Sequence, residues 1–375
     1  MKAAPYKLMI PGPIQPEDQV MEVMGDPVQQ HYGPVFRDIY NETAGLLKKV
    51  FNTVGDVFIL VGSGSAAIDA CIGSTVPSGG KILVGINGFF GDRIKLIAEN
   101  YNMEVVPVTT EWGQPLRSED FENALNKHAG VRAIAAVHLE TSTAILNPAE
   151  EIGHIARKHE LPFILDAVSS LGGLPVCMDD WGVDLCASAS QKCLGAPPGL
   201  APVAVGERGW DAIKRNPGPG HGWYLNLNIW RQFANEWADW HPFPITMATN
   251  LVAAFKVCLE ELMNEKIDVR QQRYRNLALR LRSGIRRIGM TLFTPDEILA
   301  PVITAALGPE GIATGSIVEY MSDVHHIKIA GGLGALKDKI FRIGHMSPSV
   351  SEADIDEVID ALAAFRPDWK KAKLS

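Results

Sequence analysis

The 375-residue sequence predicts an α/β fold: a large domain on a mainly parallel, seven-stranded sheet flanked by helices, then a smaller α+β C-terminal domain. Three observations predict it. Short runs rich in Val, Ile and Ala recur between residues 56 and 207, and they are apolar throughout, as strands covered on both faces are. Amphipathic patterns separate several of these runs, so the connections are crossovers and the strands run parallel. After residue 210 the alternation gives way to long helical patterns and a few short strands.

The predicted strands, in order, are "DVFILVG", "KILVGI", "EVVPVTT", "RAIAAVHLE", "PFILDAV", "VDLCASAS" and "APVAVGE". Helices are expected at Ser65 to Ser74, Gly91 to Tyr101, Glu119 to His128 and Glu150 to His159. The last of these has Asn147 as candidate N-cap and Pro148 as first helical residue. "NPGPGHGWYLNLNIW" (216 to 230) reads as a long ordered loop, and helices follow at about 249 to 264 and 268 to 289. The final helix opens with Ser351 and Asp354 at capping-box spacing. The expected division is an N-terminal segment, 1–20, packed on the small domain, then a large domain, 21–260, and a small domain, 261–375. No internal repeat is visible.

Composition narrows the function. A hydrophobic content of 46% with 21% charged residues suits a globular chain that buries a sizeable core. A net charge of −8 speaks against nucleic acid and anionic membranes, both of which reward a basic surface. The opening "MKAAPYKLMIPGP" is too short in its apolar part for a secretion signal, and no run is long enough for a membrane span. Five cysteines without a C-x-x-C pair read as reduced thiols in a cytoplasmic protein, and no metal site is expected.

Ligands of a doubly wound sheet gather outside the carboxyl ends of its strands, so polar residues there carry the functional signal. Lys192 is the one charged residue between Asp184 and Glu207, in a stretch of small and apolar side chains. A lysine is rarely buried without a partner. Asp166 ends the apolar strand "FILD", where a carboxylate is costly unless it meets a cation or donors; a turn or cap aspartate would look the same. Gly62, Ser63, Gly64 and Ser65 lie between a strand and a helix, a place suited to a phosphate, although a tight turn has the same residues. "ETST" (140 to 143) offers Ser142 and neighbouring hydroxyls to a ligand or to a turn. Arg342, on the apolar "FRIGHM", can bind a carboxylate or form a surface ion pair. Jointly these fit one chemistry: an amine that forms a Schiff base, an acid beside a pyridinium nitrogen, an anion site and a carboxylate clamp.

At these residues the sequence resembles the class V aminotransferases of pyridoxal phosphate (PLP) fold type I, in the alanine- or serine-glyoxylate branch with its pyridoxamine-pyruvate and ureidoglycine-glyoxylate relatives. "PGP" (11 to 13), "GSGSAAIDA", "GINGFFGDR", "ETST", "LDAVSSLGG", "SQKCLGAPPGL" and "FRIGHM" carry the likeness, in family order over nearly the whole chain. The resemblance implies pyridoxal 5'-phosphate as cofactor, Lys192 as its internal aldimine lysine and Asp166 as partner of the ring nitrogen. It places Val168 on one ring face, Phe90 on the other, and Ser63, Gly64 and Gln191 on the phosphate. Ser65 stands where several relatives carry a His. Ser142 would meet the ring hydroxyl region and Arg342 the substrate carboxylate. Thr246 would complete the phosphate site of a second subunit, where Phe243 replaces a Tyr, so a homodimer with shared active sites is implied. Tyr32 and Trp223 are candidates for the substrate side.

The implied activity is ping-pong transfer of an amino group from an amine or amino acid to glyoxylate or pyruvate. Pyridoxamine-pyruvate transamination with free pyridoxamine is the nearest rival, and the retained "GSGS" and Thr246 speak for a phosphate site instead. A PLP lyase would use the same residues. A cysteine desulfurase needs an exposed loop cysteine, whereas Cys258 lies in a helical apolar pattern. A nicotinamide-dependent dehydrogenase would leave Lys192 and Asp166 unexplained and lacks the G-x-G-x-x-G fingerprint.

Overall fold

The computed structural model describes residues 6–216, 222–298 and 300–369. The first five residues of the expected N-terminal segment, part of the expected loop at 216 to 230 and the last six residues lie outside these ranges.

The seven expected strands form one sheet in the spatial order Asp56–Val61, Leu200–Val205, Leu185–Ala187, Phe163–Asp166, Val131–Val137, Lys81–Ile86 and Glu104–Thr109. Leu200–Val205 runs antiparallel to both neighbours and every other pairing among the remaining strands is parallel. The inner strands are apolar because helices cover both faces, and Phe163–Asp166, Leu185–Ala187 and Leu200–Val205 are buried at every position. Glu104–Thr109 is an edge strand: it alternates exposed and buried residues and carries Pro107.

The expected helices appear at Gly64–Thr75, Phe89–Asn100, Ser118–Lys127, Ala149–Lys158, Thr249–Glu265 and Ile267–Arg287. The structure corrects two readings. Asn147 does not cap the helix at Ala149; Pro148 takes the cap position and no side chain bonds there. Instead Asn147 is buried, accepts the Leu116 N–H at 3.0 Å and an Asn87 amide hydrogen at 2.8 Å, and donates to the Val137 carbonyl at 2.8 Å. Three donors and acceptors of buried backbone and side chain outweigh one cap. The stretch read as a loop to residue 230 becomes helical at Leu227–Glu236, with Asn226 accepting the Asn228 N–H as its cap. Helices at Asp18–Met24, Pro34–Phe51, Met178–Trp181 and Glu207–Lys214 complete this part.

A three-stranded antiparallel sheet follows, Ile303–Leu307, Ile340–Gly344 and Ala330–Gly331 in spatial order. The final helix, Glu352–Ala363, carries the expected capping box between Ser351 and Asp354. The chain start crosses to this region: Lys7–Leu8 pairs parallel with Ile327–Lys328, and the Gly344 N–H donates to the Met9 carbonyl at 2.9 Å. Met9 and Ile14 join an apolar cluster with Tyr274, Ile303, Phe341 and Ile355 that is distinct from the cluster around the large sheet.

Candidate active site

Five strands of the large sheet deliver their carboxyl ends to one cavity of about 220 Å³. After Val61 the chain turns into the helix Gly64–Thr75 with Ser63 as N-cap. Ser63 has cap dihedrals, yet its hydroxyl accepts no bond from the helix. Among the described residues the Gly64 and Ser65 N–H groups have no acceptor, so the first turn offers free donors and the positive end of the helix dipole. Gly64 is required there: a Cβ would lie 2.6 Å from Val168 Cγ2. Ser63, Gly64, Ser65 and Gln191 all line the cavity, and the buried Oε1 of Gln191 has no partner among the described residues.

Phe90, Asp166, Val168 and Lys192 line the same space. Asp166 ends its strand buried, with Oδ1 accepting the Val168 N–H at 2.9 Å; burial pushes its carboxyl up to about 6, against the pull of that hydrogen bond and of Lys192 and Arg93. A carboxyl held in this state gains from a cationic ring partner. Lys192 comes from the loop after Leu185–Ala187, and its Nζ donates to the Pro11 carbonyl oxygen. Burial lowers its ammonium to about 8, and the charges of Arg342 and Arg93 act in the same direction. The chain start closes over it at Gly12, with φ of +94° and room for no Cβ: Lys192 Cδ, Cε and Nζ stand 2.7 to 2.8 Å from where one would be. An amine held near neutrality is suited to nucleophilic and proton-transfer work.

Ser142 is not brought to the cavity. It is fully buried, accepts the Phe89 N–H at 2.9 Å and donates to Glu140 Oε1 at 2.5 Å, while its neighbour Thr141 lines the cavity. Glu140 also accepts the N–H groups of Phe90 and Gly91 at 3.0 Å, so one buried carboxylate holds the helix start that carries Phe90. Burial raises Glu140 to about 6 despite these donors. Arg342 lies buried outside the cavity wall; Nε donates to the Gly331 carbonyl and Nη1 to the Thr141 carbonyl, both at 2.9 Å. Burial brings its guanidinium down to about 10.

Thr246 is exposed and stands apart from the cavity of its own chain. Phe243 is core, packed on Tyr40 and His241 with ring centres 4.8 and 4.6 Å apart. Tyr32 and Trp223, expected near the substrate, belong to an exposed aromatic ladder in which Tyr32 meets Trp240, Trp240 stacks on Trp237, Phe233 follows and Trp223 ends the row. Sequence reasoning missed Arg93. It lines the cavity one helical turn from Phe90, inside the quoted "GINGFFGDR", and the i, i+3 spacing was the available signal.

A phosphorylated pyridine aldehyde fits this donor set. Free N–H groups of the first helical turn suit its phosphate, Asp166 suits a ring nitrogen, apolar Phe90 and Val168 suit its faces, and Lys192 suits its aldehyde. Among the described residues no group of three or more His, Cys, Asp or Glu side chains is placed to hold a metal ion.

The family model for Aminotransferase class-V matches residues 17–333. An uncharacterized aminotransferase of Methanocaldococcus jannaschii is 38% identical, over 90% of this chain and 87% of its own length. The crystal structure of ureidoglycine-glyoxylate aminotransferase from Bacillus subtilis superposes with a TM-score of 0.92 at 31% identity, over 97% of this chain and 93% of that one. Alanine-glyoxylate aminotransferase from Nostoc sp. gives a TM-score of 0.92 at 30% identity, over 97% and 96%.

Proposed function

We propose, for a chain that belongs to the aminotransferase class-V family and is a transaminase, that it uses PLP to move an amino group from an amine or amino acid to glyoxylate or pyruvate in a ping-pong sequence. The observation that carries this reading is the meeting of Lys192, Asp166 and the free first turn of Gly64–Thr75 at one cavity. When bound, the cofactor supplies an aldehyde that takes up the donor's nitrogen and a protonated ring that withdraws the electron pair left on carbon.

The chain supplies the rest. Lys192 would hold the cofactor covalently through Nζ, and the freed amine, lowered to about 8, would accept and return the proton at the substrate carbon. Asp166 holds the ring nitrogen protonated. The free N–H groups of Gly64 and Ser65 would hold the phosphate, with Ser63 and Gln191 beside it in the same wall. Phe90 and Val168 orient the ring, and Phe90 in turn is set by Glu140. Ser142 acts through Glu140 and reaches no ligand. Arg342 has Nη2 free of protein acceptors among the described residues and takes the oxoacid carboxylate. Tyr32 has no role within its own chain's cavity.

We assign a homodimer on two observations: Thr246 is exposed, ready to reach a neighbouring subunit's phosphate site, and the Tyr32 to Trp223 ladder is a large exposed aromatic surface. The expected segment 1–20, large domain 21–260 and small domain 261–375 are retained as a proposal, supported by the pairing of Lys7–Leu8 with Ile327–Lys328. Five unpaired cysteines and the absence of a described helix long and apolar enough to cross a membrane support a cytoplasmic setting.

The test is a two-substrate kinetic series with a panel of amino donors against glyoxylate and pyruvate. Parallel double-reciprocal lines and isolable half-reactions support the reading. A chain that aminates pyruvate only with free pyridoxamine contradicts it.

A further inference from the structure

We infer that Arg93 is the fixed cation of the cofactor site and sets its preference for a phosphorylated over an unphosphorylated pyridoxal. The inference rests on the PLP reading and concerns a residue to which neither the motifs nor the comparisons give a role.

Arg93 lies on Phe89–Asn100 and reaches across to the first turn of Gly64–Thr75, where Nη1 donates to Ser65 Oγ at 3.2 Å. Its guanidinium lies over the Phe90 and Phe89 rings, 4.8 and 5.2 Å from their centres, which fixes its position at the cavity wall. Among the described residues no carboxylate forms an ion pair with it, although its charge is felt at Asp166.

Two positive features therefore face each other. The first turn of a helix carries about half a positive charge, and a cation beside it is unfavourable. Ser65 relays between them, with its hydroxyl accepting from Arg93 while its own N–H stays free. An anion between helix and guanidinium removes the conflict, and a dianion removes it best: a phosphate monoester carries about −1.5 to −2 at pH 7 and takes an arginine fork bidentately. Free pyridoxal has a neutral hydroxymethyl at that position and gains nothing from Arg93.

Equilibrium binding, without turnover, tests this. PLP and pyridoxal are titrated separately into the cofactor-free wild type, Arg93→Gln and Arg93→Lys, with occupancy read by absorbance after dialysis. Arg93→Gln is expected to lose about 10- to 100-fold in PLP affinity, the loss of a hydrogen bond to a charged group, with pyridoxal affinity unchanged. Arg93→Lys is expected to fall between. Unchanged pyridoxal binding also certifies that the variant is folded. Equal losses for both ligands, or no loss for either, overturn the inference. A wild type that holds pyridoxal as tightly as PLP would instead overturn the functional reading on which it rests.

Discussion

Arg342 Nη1 donates to the carbonyl oxygen of Thr141 at 2.9 Å, joining the small antiparallel sheet to a loop of the large one across 201 positions of chain. Thr141 lines the cavity, so the bond places the guanidinium beside it. Arg342→Lys keeps the charge and loses the planar fork. It is expected to lower kcat/KM for the oxoacid by about 10- to 100-fold, through the carboxylate contact. PLP affinity should not change. Steady-state kinetics and cofactor titration together check the split.

The lowered Lys192 ammonium predicts a pH profile. Its basic form is the neutral amine, so the proton-transfer step should weaken as pH falls below about 8. Asp166→Asn should not abolish this acid limb, because burial, not Asp166, is the leading cause of the Lys192 shift. Single-turnover rates of donor deamination between pH 6 and 9 measure it.

Burial of Asp166 costs stability at neutral pH. Its folded value of about 6 lies above the ordinary 3.8, so its contribution is present below 3.8 and lost as pH rises through 6. In the cofactor-free chain at pH 8, Asp166→Asn is therefore expected to be more stable by about 3 kcal/mol, at 1.36 kcal/mol per unit, with no gain at the acid end. The same variant should bind PLP less tightly. Urea unfolding of cofactor-free protein at two pH values, with a PLP titration, checks both halves.

Glu140 accepts four bonds: the N–H groups of Phe90, Gly91 and Ser142, and the Ser142 hydroxyl. Glu140→Ala leaves these donors buried and unpaired and is expected to destabilise the chain by about 3 kcal/mol or more. Glu140→Gln, which retains one carbonyl acceptor, should lose less. Urea midpoints of the two variants report the order.

What the sequence showed and what it hid follow from the same physics. Lys192 and Asp166 stood out because a charge amid apolar residues demands a reason, and that demand is local. Ser142 looked equivalent to Thr141, and only the path of the loop decides which hydroxyl meets the cavity and which meets Glu140. Asn147 had the propensity for a helix cap, but Asn87, Leu116 and Val137, distant in sequence, claim its side chain. Arg93 was missed although it stands one turn from Phe90, because its meeting with Ser65 depends on how two helices pack. The helix at Leu227 was hidden behind turn-forming residues that end just before it.

The central claim is that Lys192 anchors PLP in this cavity and moves the proton of an amino-transfer reaction. The most direct measurement is the near-ultraviolet and visible spectrum of the PLP-loaded wild type and Lys192→Ala during addition of a panel of amines. The account predicts a cofactor band in the wild type that an effective donor rapidly converts to the aminated cofactor's spectrum, restored by glyoxylate or pyruvate, with no such cycle in Lys192→Ala. A variant that cycles at the wild-type rate would contradict it.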